Sequence, residues 1–516
     1  MEDPSQPPFN LLDASQGVVC ITSHPFDASY APPITHIKLL ELDFDRLISN
    51  RQMRHDINFN PNLTYSPNIE GETSETQKRQ ADTFWALLEQ EFNTCFASDV
   101  DGKPNSFHNC QRIRQVLSEI QNILCTLVPE RDMELVQEML DAELIMQQIQ
   151  QRILDYPLLA SNIARMIHQH CAPMRDQLVQ KMVHQIGQGA MEKDVAALVL
   201  GVRDLFAVLE AMKLDVANHQ IKSLRTLLVA DTVTFEQDYF LGRMRQRRFD
   251  VDGSCKWYTR NQRIWGLHER PMTIFVRAMV GMMLPSNELD RPDTFEFDIG
   301  QIDMLRSELV IDLALKVCSD VLTSVAYVDH DYRSTILTGN VEALHHAIRS
   351  LLGDGNPRRR LLENIDSIAI EIGRCLEPLP NRNHGARQVI ISKITRELRA
   401  GLAMDSGLWQ YHEVIAREHI WRDTLSRMEH FTGLSIVAVA NAASDKSPAE
   451  DRQDYSHISS LLAHLGTIHW RVWSKVLYEE HHYLTLQSEG ERRLGTKRVR
   501  TGFALGAMAR HVRPRH

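Results

Sequence analysis

Residues 131–154 read RDMELVQEMLDAELIMQQIQQRIL and carry the clearest helical pattern of the chain. Apolar side chains recur there in alternating steps of four and three, at Leu135, Met139, Ala142, Met146, Ile149 and Ile153. These steps put the apolar side chains on one face, because an α-helix has about 3.6 residues per turn. The stretch therefore predicts one long helix whose apolar face packs against other helices.

The same spacing continues on both sides of this stretch, from Thr76 to a last helix over 461–476. Two further patterns, 195–212 and 214–228, predict a pair of antiparallel helices. We expect their apolar residues Leu205, Phe206, Leu209, Leu224 and Leu228 to be buried. The chain has only 24 glycines and 20 prolines in 516 residues, which favours long helices over many short strands. The fold class predicted is all-α, a multi-helix array of packed antiparallel helices.

Composition divides the chain into three parts. Residues 1–75 are rich in Pro, Asn, Ser and Asp and predict an extended, poorly ordered N-terminal arm. Residues 76–490 form the predicted helical domain, within which the basic and aromatic stretch 243–265 lacks a clean period and is interpreted as a connection. Residues 491–516 form a basic tail that we expect to be disordered.

The formal charge is unevenly spread along the chain. The tail carries eight Lys and Arg residues against one Glu, so its formal charge is +7 and the rest of the chain totals −17. A body this acidic repels nucleic acid and anionic lipid. We therefore expect no specific nucleic-acid partner.

Several features predict an intracellular protein. The eight cysteines contain no C-x-x-C pair, as expected for reduced thiols. The N-terminus has no basic segment followed by an apolar one, so no secretory signal is predicted. The longest apolar windows, 272–284 and 433–443, are shorter than the roughly 18 residues of a membrane span, so no membrane insertion is predicted. The cytoplasm is the expected compartment, with nuclear entry through the basic tail as an alternative.

Sequence motifs for catalysis or cofactor binding are absent. There is no G-x-S-x-G nucleophile motif and no phosphate loop ending in G-K-[ST]. His168 and Cys171 are three residues apart and could share a helix face, but the sequence suggests no complete zinc ligand set. The turn 353–357 before Arg358 is explained more simply by Pro357 in the first turn of a helix than by an anion site. No metal and no cofactor are predicted.

A polar stripe marks a candidate site. Asp215, Asn218, Lys222 and Arg225 step by three, four and three residues beside the apolar stripe 214–228. Pro173 predicts a turn that brings Arg175 and Asp176 towards this stripe. The candidate cluster consists of Arg175, Asp176, Asp215, Asn218 and Arg225. One interpretation is a solvated helix face with spaced side-chain pairs, and the other is a hydrogen-bonded groove for a partner helix.

Several long segments together resemble the T-complex protein 11 family in order and spacing. They are MLDAELIMQQI at 139–149, CAPMRD at 171–176, Leu205-Phe206, and MKLDVANHQIKSLR at 212–225. RHDINFNP at 54–61 and SPNIEG at 66–71 resemble the fungal branch, which includes the suppressor-of-kinase proteins. Weaker similarity covers PDTF at 292–295 with Asp298 and Arg306, and IHWRVW at 468–473, which includes His469.

The resemblance implies a role linked to cyclic-AMP and protein kinase A signalling, with proteins of that pathway as partners. No catalytic residues come with the family. The expected function is a non-enzymatic signalling regulator or scaffold. The alternative is an enzyme of unrecognised class with a site among helices near His168, Asp176 and Asp215. A deep pocket at these residues would favour the enzyme, and a shallow groove would favour protein binding.

Overall fold

The computed structural model describes residues 31–66, 72–96, 110–266, 268–288, 290–328, 338–353, 355–376, 384–444 and 455–479. Within these ranges all regular elements are helical, which confirms the all-α prediction. None of the helices described there combines the length and apolar character needed to cross a bilayer. The predicted basic tail and residues 1–30 of the predicted arm lie outside the described residues.

The helices follow one another along the chain with mostly short connections. They are α1 His36–Leu39, α2 Phe44–Ile48, α3 Arg51–Asp56, α4 Glu72–Phe96, α5 Gln111–Leu127, α6 Glu130–Met139, α7 Ala142–Gln150, α8 Tyr156–His170, α9 Asp176–Glu192, α10 Val195–Ala230, α11 Thr232–Arg245, α12 Asp252–Trp265, α13 Pro271–Met283, α14 Ile299–Val328, α15 Thr338–Leu352, α16 Pro357–Glu363, α17 Ile365–Cys375, α18 His384–Gly401, α19 Gly407–Phe431, α20 Ile436–Ser444 and α21 Ser456–Trp473. Short 3₁₀ turns cover Leu40–Leu42, Pro173–Arg175 and Asp293–Phe295, and a π-helix covers Ser474–Glu479.

The helices divide into two compact units. The first comprises the described parts of Met1–Asn50 and Asn62–Leu224, and the second those of Arg51–Pro61 and Arg225–His516. Each unit has its own hydrophobic core. Part of the predicted arm, residues 36–56, thus forms short helices with buried residues such as Leu39 and Leu47.

The core of the first unit contains Leu88, Val136, Ile167, Phe206 and Leu209, all fully buried. The predicted burial is confirmed for four of its five residues, Leu205, Phe206, Leu209 and Leu228, whereas Leu224 is only half-buried.

Helices α8 and α9 pack side by side along their length.

The helix predicted over 131–154 is two helices, so that prediction is wrong in one respect. The carboxylate of Asp141 accepts hydrogen bonds from the backbone N–H groups of Glu143 and Leu144, at 2.9 and 3.0 Å, and so caps the N-terminus of α7. An acidic side chain at this position starts a new helix because it satisfies N–H groups that have no partner within the helix. Periodicity alone did not reveal the break.

The opposite error occurs at 195–228, where the predicted pair of helices is one continuous helix, α10. Helix α10 lies close to α9 at Gly201. A Cβ on Gly201 would lie 2.9 Å from the backbone nitrogen of Ile186, so only glycine fits there without a shift.

In the second unit, α19 and α21 pack along each other, and Tyr258, Phe275 and Trp473 are among the fully buried aromatic residues. The stretch 243–265, interpreted above as a connection, instead contains the end of α11 and all of α12. Pro357 begins α16 and Asn356 caps it, which confirms the simpler interpretation of that turn.

Candidate partner-binding site

Arg175 and Asp215 form a two-pronged ion pair in the first unit. Arg175 donates from Nε to Asp215 Oδ2 at 2.9 Å and from Nη2 to Asp215 Oδ1 at 2.8 Å. These hydrogen bonds raise the pKa of the Arg175 guanidinium. The side chains are 29% and 28% exposed, so the pair joins the turn after α8 to helix α10 while remaining accessible to solvent.

Asp176, the first residue of α9, contacts His168 at the end of α8, with 2.9 Å between Asp176 Oδ1 and His168 Nδ1. Ligand atoms of His168, Cys171 and Asp176 all lie within 4.8 Å of one another. Burial and the nearby Asp176 carboxylate raise the pKa of the Cys171 thiol. These three side chains could together hold a zinc ion, which prefers tetrahedral sets of sulfur, nitrogen and oxygen ligands. The sequence indicated the first two but not Asp176.

The other two predicted site residues bind backbone groups elsewhere. Asn218 accepts from the Tyr65 N–H at 2.6 Å and donates to the Tyr65 carbonyl at 3.2 Å, within the first unit. Arg225 belongs to the second unit, where it donates to the carbonyls of Ile57 and Asn58 at 3.2 and 3.4 Å. Burial lowers the pKa of Arg225. The structure therefore brings Arg175 and Asp215 together and gives Asp176, Asn218 and Arg225 different partners.

An open, shallow groove of about 640 Å³ runs between α8 and α9. It is lined by Ser161, Ala164, Arg165, His168, Gln169, Gln180, Val183 and His184. His168 lines the groove and also contacts Asp176, so the groove begins beside the turn that carries Arg175. Met174 in that turn is 75% exposed. We call this groove and turn the α8–α9 groove.

Sequence reasoning missed a buried charge network in the second unit. His55 on α3 lies between two carboxylates, with Nδ1 2.7 Å from Glu236 Oε1 and Nε2 3.0 Å from Asp298 Oδ1. The Asp298 contact is close enough for an ion pair, although its angle departs from that of a hydrogen bond. Burial alone would lower the pKa of His55, but Glu236 and Asp298 together raise it to about 10. Burial would raise the pKa of Asp298, but His55 and His469 bring it below its usual value.

The network extends to the end of the described chain. Asp298 also contacts His469 Nδ1 at 3.2 Å, and His469 Nε2 lies 2.8 Å from the Tyr478 hydroxyl. The His469 ring stacks on Phe295, with ring centroids 3.8 Å apart. The RHDINFNP segment, which resembles the fungal branch, and the weaker similarity around Asp298 and His469 were the only sequence signals for this network. It fixes residues 51–61 within the second unit.

Comparison with known proteins identifies the family. The sequence model of T-complex protein 11 matches residues 53–482. Protein SOK1 of Saccharomyces cerevisiae is 27% identical over 366 residues, which cover 67% of this chain and 40% of the yeast protein. T-complex protein 11 of Mus musculus is 31% identical over 148 residues, 28% of this chain and 24% of the mouse protein. The human homologue is 23% identical over 299 residues, 51% of this chain and 56% of its own.

These alignments span less than two thirds of each relative's length. No solved structure shows a significant match. The family match covers most of the chain and includes the polar stripe, the α8–α9 groove and the buried network. The resemblance noted in the sequence is thereby confirmed, and the chain belongs to the T-complex protein 11 family.

Proposed function

We propose that this chain is a non-enzymatic signalling regulator or scaffold that acts in or alongside the cyclic-AMP/protein kinase A pathway by binding proteins. The observation that carries the proposal is the partly exposed Arg175–Asp215 pair beside the open α8–α9 groove. Neither the family description nor the names of the relatives denote an enzyme. The kinase pathway comes from the family resemblance, and we propose the cytoplasm as the place of action.

The groove has the shape and chemistry of a helix-binding surface. A furrow between two parallel or antiparallel helices accepts the side-chain ridge of a third helix. No lining residue is acidic, and the polar lining consists of Ser161, Arg165, His168, Gln169, Gln180 and His184. We therefore propose a partner helix that presents carboxylate side chains to Arg165 and an apolar side chain to Met174.

The alternative, an enzyme with a site near His168, Asp176 and Asp215, has weaker support. Small-molecule sites usually enclose most of the ligand surface. The space beside His168 is instead a shallow groove open to solvent, and Asp215 is already paired with Arg175. A shallow, accessible groove of this kind favours protein binding.

Affinity purification of the full chain from cell extract tests this function. The wild type is compared with Arg165→Glu, which reverses the charge of the groove. The control is Arg79→Glu, which reverses the charge at an exposed arginine on α4. The measured quantities are the proteins retained and the cyclic-AMP-stimulated kinase activity that co-purifies.

We expect the wild type and Arg79→Glu to retain proteins of the kinase pathway. Retention should fall about tenfold for Arg165→Glu, which corresponds to about 1.4 kcal/mol of binding free energy. Equal retention by all three proteins would exclude the groove as the binding site. A wild type that retains neither pathway proteins nor kinase activity would contradict the pathway.

A further inference from the structure

Two cysteines of the first unit lie next to each other in its core. The Sγ atoms of Cys95 and Cys110 are 3.0 Å apart, and the residues are only 5% and 7% exposed. Cys95 lies in the last turn of α4, and Cys110 directly precedes α5. Both are free thiols in this structure.

A buried carboxylate holds the two cysteines in this position. Glu91 lies one helical turn before Cys95 on α4. Its Oε2 accepts hydrogen bonds from the backbone N–H groups of Arg112 and Ile113, at 3.0 and 3.3 Å, and its Oε1 accepts from Arg112 Nη1 at 2.7 Å. Glu91 thus caps the first turn of α5 from α4, and this junction keeps Cys110 opposite Cys95.

The two sulfurs need only a small movement to form a covalent bond. A disulfide has a sulfur–sulfur length of about 2.05 Å, so closure needs an approach of about 1 Å. The helix-end positions of both residues allow such a movement without disrupting a helix interior. Cys110 also precedes the first turn of α5, where the positive end of the helix favours its thiolate form. The hydrogen bond with Cys95 lowers the pKa of Cys110, and the hydrogen bond with Cys110 raises the pKa of Cys95.

We propose that Cys95 and Cys110 are a reversible disulfide modification site whose oxidant is a low-molecular-weight disulfide of the glutathione class. The Cys110 thiolate attacks one sulfur of the oxidised glutathione, which forms a mixed disulfide and releases one glutathione thiolate. Cys95 then loses its proton and attacks the Cys110 sulfur, which releases the second glutathione. Two protein thiols are oxidised, and one glutathione disulfide is reduced to two thiols.

The site fits the reducing cytoplasm proposed above as the place of action. Disulfides in reducing compartments are usually transient and redox-sensing. Oxidation would join the end of α4 to the start of α5 and restrict the unfolded chain, so the oxidised protein should be the more stable form. Formation of this disulfide does not require the proposed partner binding.

The test uses the full chain equilibrated with oxidised and reduced glutathione at a series of ratios. Acid quenching, alkylation of remaining thiols and peptide mass spectrometry then quantify the peptide pair linked through Cys95 and Cys110. The linked pair should increase with the proportion of oxidised glutathione and disappear with excess reductant. The urea midpoint of unfolding should be higher for the oxidised protein than for the reduced protein.

Cys125→Ser, which removes another thiol from α5, should retain the linked pair. Cys95→Ser should instead trap a glutathione adduct on Cys110. Because the pair is buried, the experiment is repeated with diamide, a small oxidant of thiols. If Cys95 and Cys110 remain fully alkylated with both oxidants, or if each carries a separate adduct and no linked peptide forms, the proposal is wrong.

Discussion

Arg175 holds both carboxylate oxygens of Asp215, with donor–acceptor distances of 2.9 and 2.8 Å. This ion pair connects the turn between α8 and α9 to α10. More than a quarter of each side chain is exposed. Two hydrogen bonds in parallel define the orientation of the turn better than a single contact does. The pair therefore positions the exposed Met174 and the end of the α8–α9 groove.

Replacement of Arg175 or Asp215 by Ala should lower the free energy of unfolding by only about 1 kcal/mol, because solvent screens a partly exposed ion pair. Partner retention should fall strongly in both variants. Urea unfolding and affinity purification measure the two effects, with Arg79→Ala as the surface control. A loss of stability of several kcal/mol would show that the pair is structural and not part of a docking surface.

Phe206→Ala should lower the free energy of unfolding by about 3 to 5 kcal/mol, since the ring is fully buried in the first core. Leu227→Ala, on the same helix but 60% exposed, should change it by less than about 0.5 kcal/mol. Thermal and urea unfolding of the two variants provide the comparison. Similar stability of the two would mean that the buried face of α10 is misplaced.

His55→Gln should lower the free energy of unfolding by about 3 to 5 kcal/mol, because it leaves the carboxylates of Glu236 and Asp298 buried without their shared cation. The control is His430→Gln, at an exposed position of α19. Both proteins are unfolded in urea at neutral pH. Equal midpoints would show that His55 is uncharged in the folded protein.

The stability of the protein should be greatest near pH 6.5 and fall on both sides. The folded-state pKa of His55 is raised to about 10, so its contribution is complete below pH 6.5 and is lost as the pH rises towards 10. Burial and the charges of His55 and Arg225 lower the pKa of His464 to about 3, so stability falls as the pH drops from 6.5 towards 3. His55→Gln should remove most of the alkaline decrease. Urea midpoints measured from pH 4 to 10 test this prediction. If His55→Gln lost as much stability at alkaline pH as the wild type, His55 would not be the group responsible.

Local periodicity predicted the helical class and the burial of Phe206, because spacing along one helix reports which face is apolar. It missed the break at Asp141, since a capping carboxylate interrupts a helix without interrupting the apolar pattern. It also grouped Arg225 with Asp215, although Arg225 binds carbonyls of the RHDINFNP segment. The contact between His55 and Asp298 joins residues far apart in sequence, so no local spacing could reveal it.

The most direct test of the central claim is the phosphorylation of protein kinase A substrates in cells from which the gene for this chain is deleted. Deletion should change this phosphorylation, and both the wild type and Arg79→Glu should restore the original level. Arg165→Glu should fail to restore it while keeping the wild-type unfolding midpoint, because only the α8–α9 groove is altered. Unchanged phosphorylation on deletion, or full restoration by Arg165→Glu, would contradict the account.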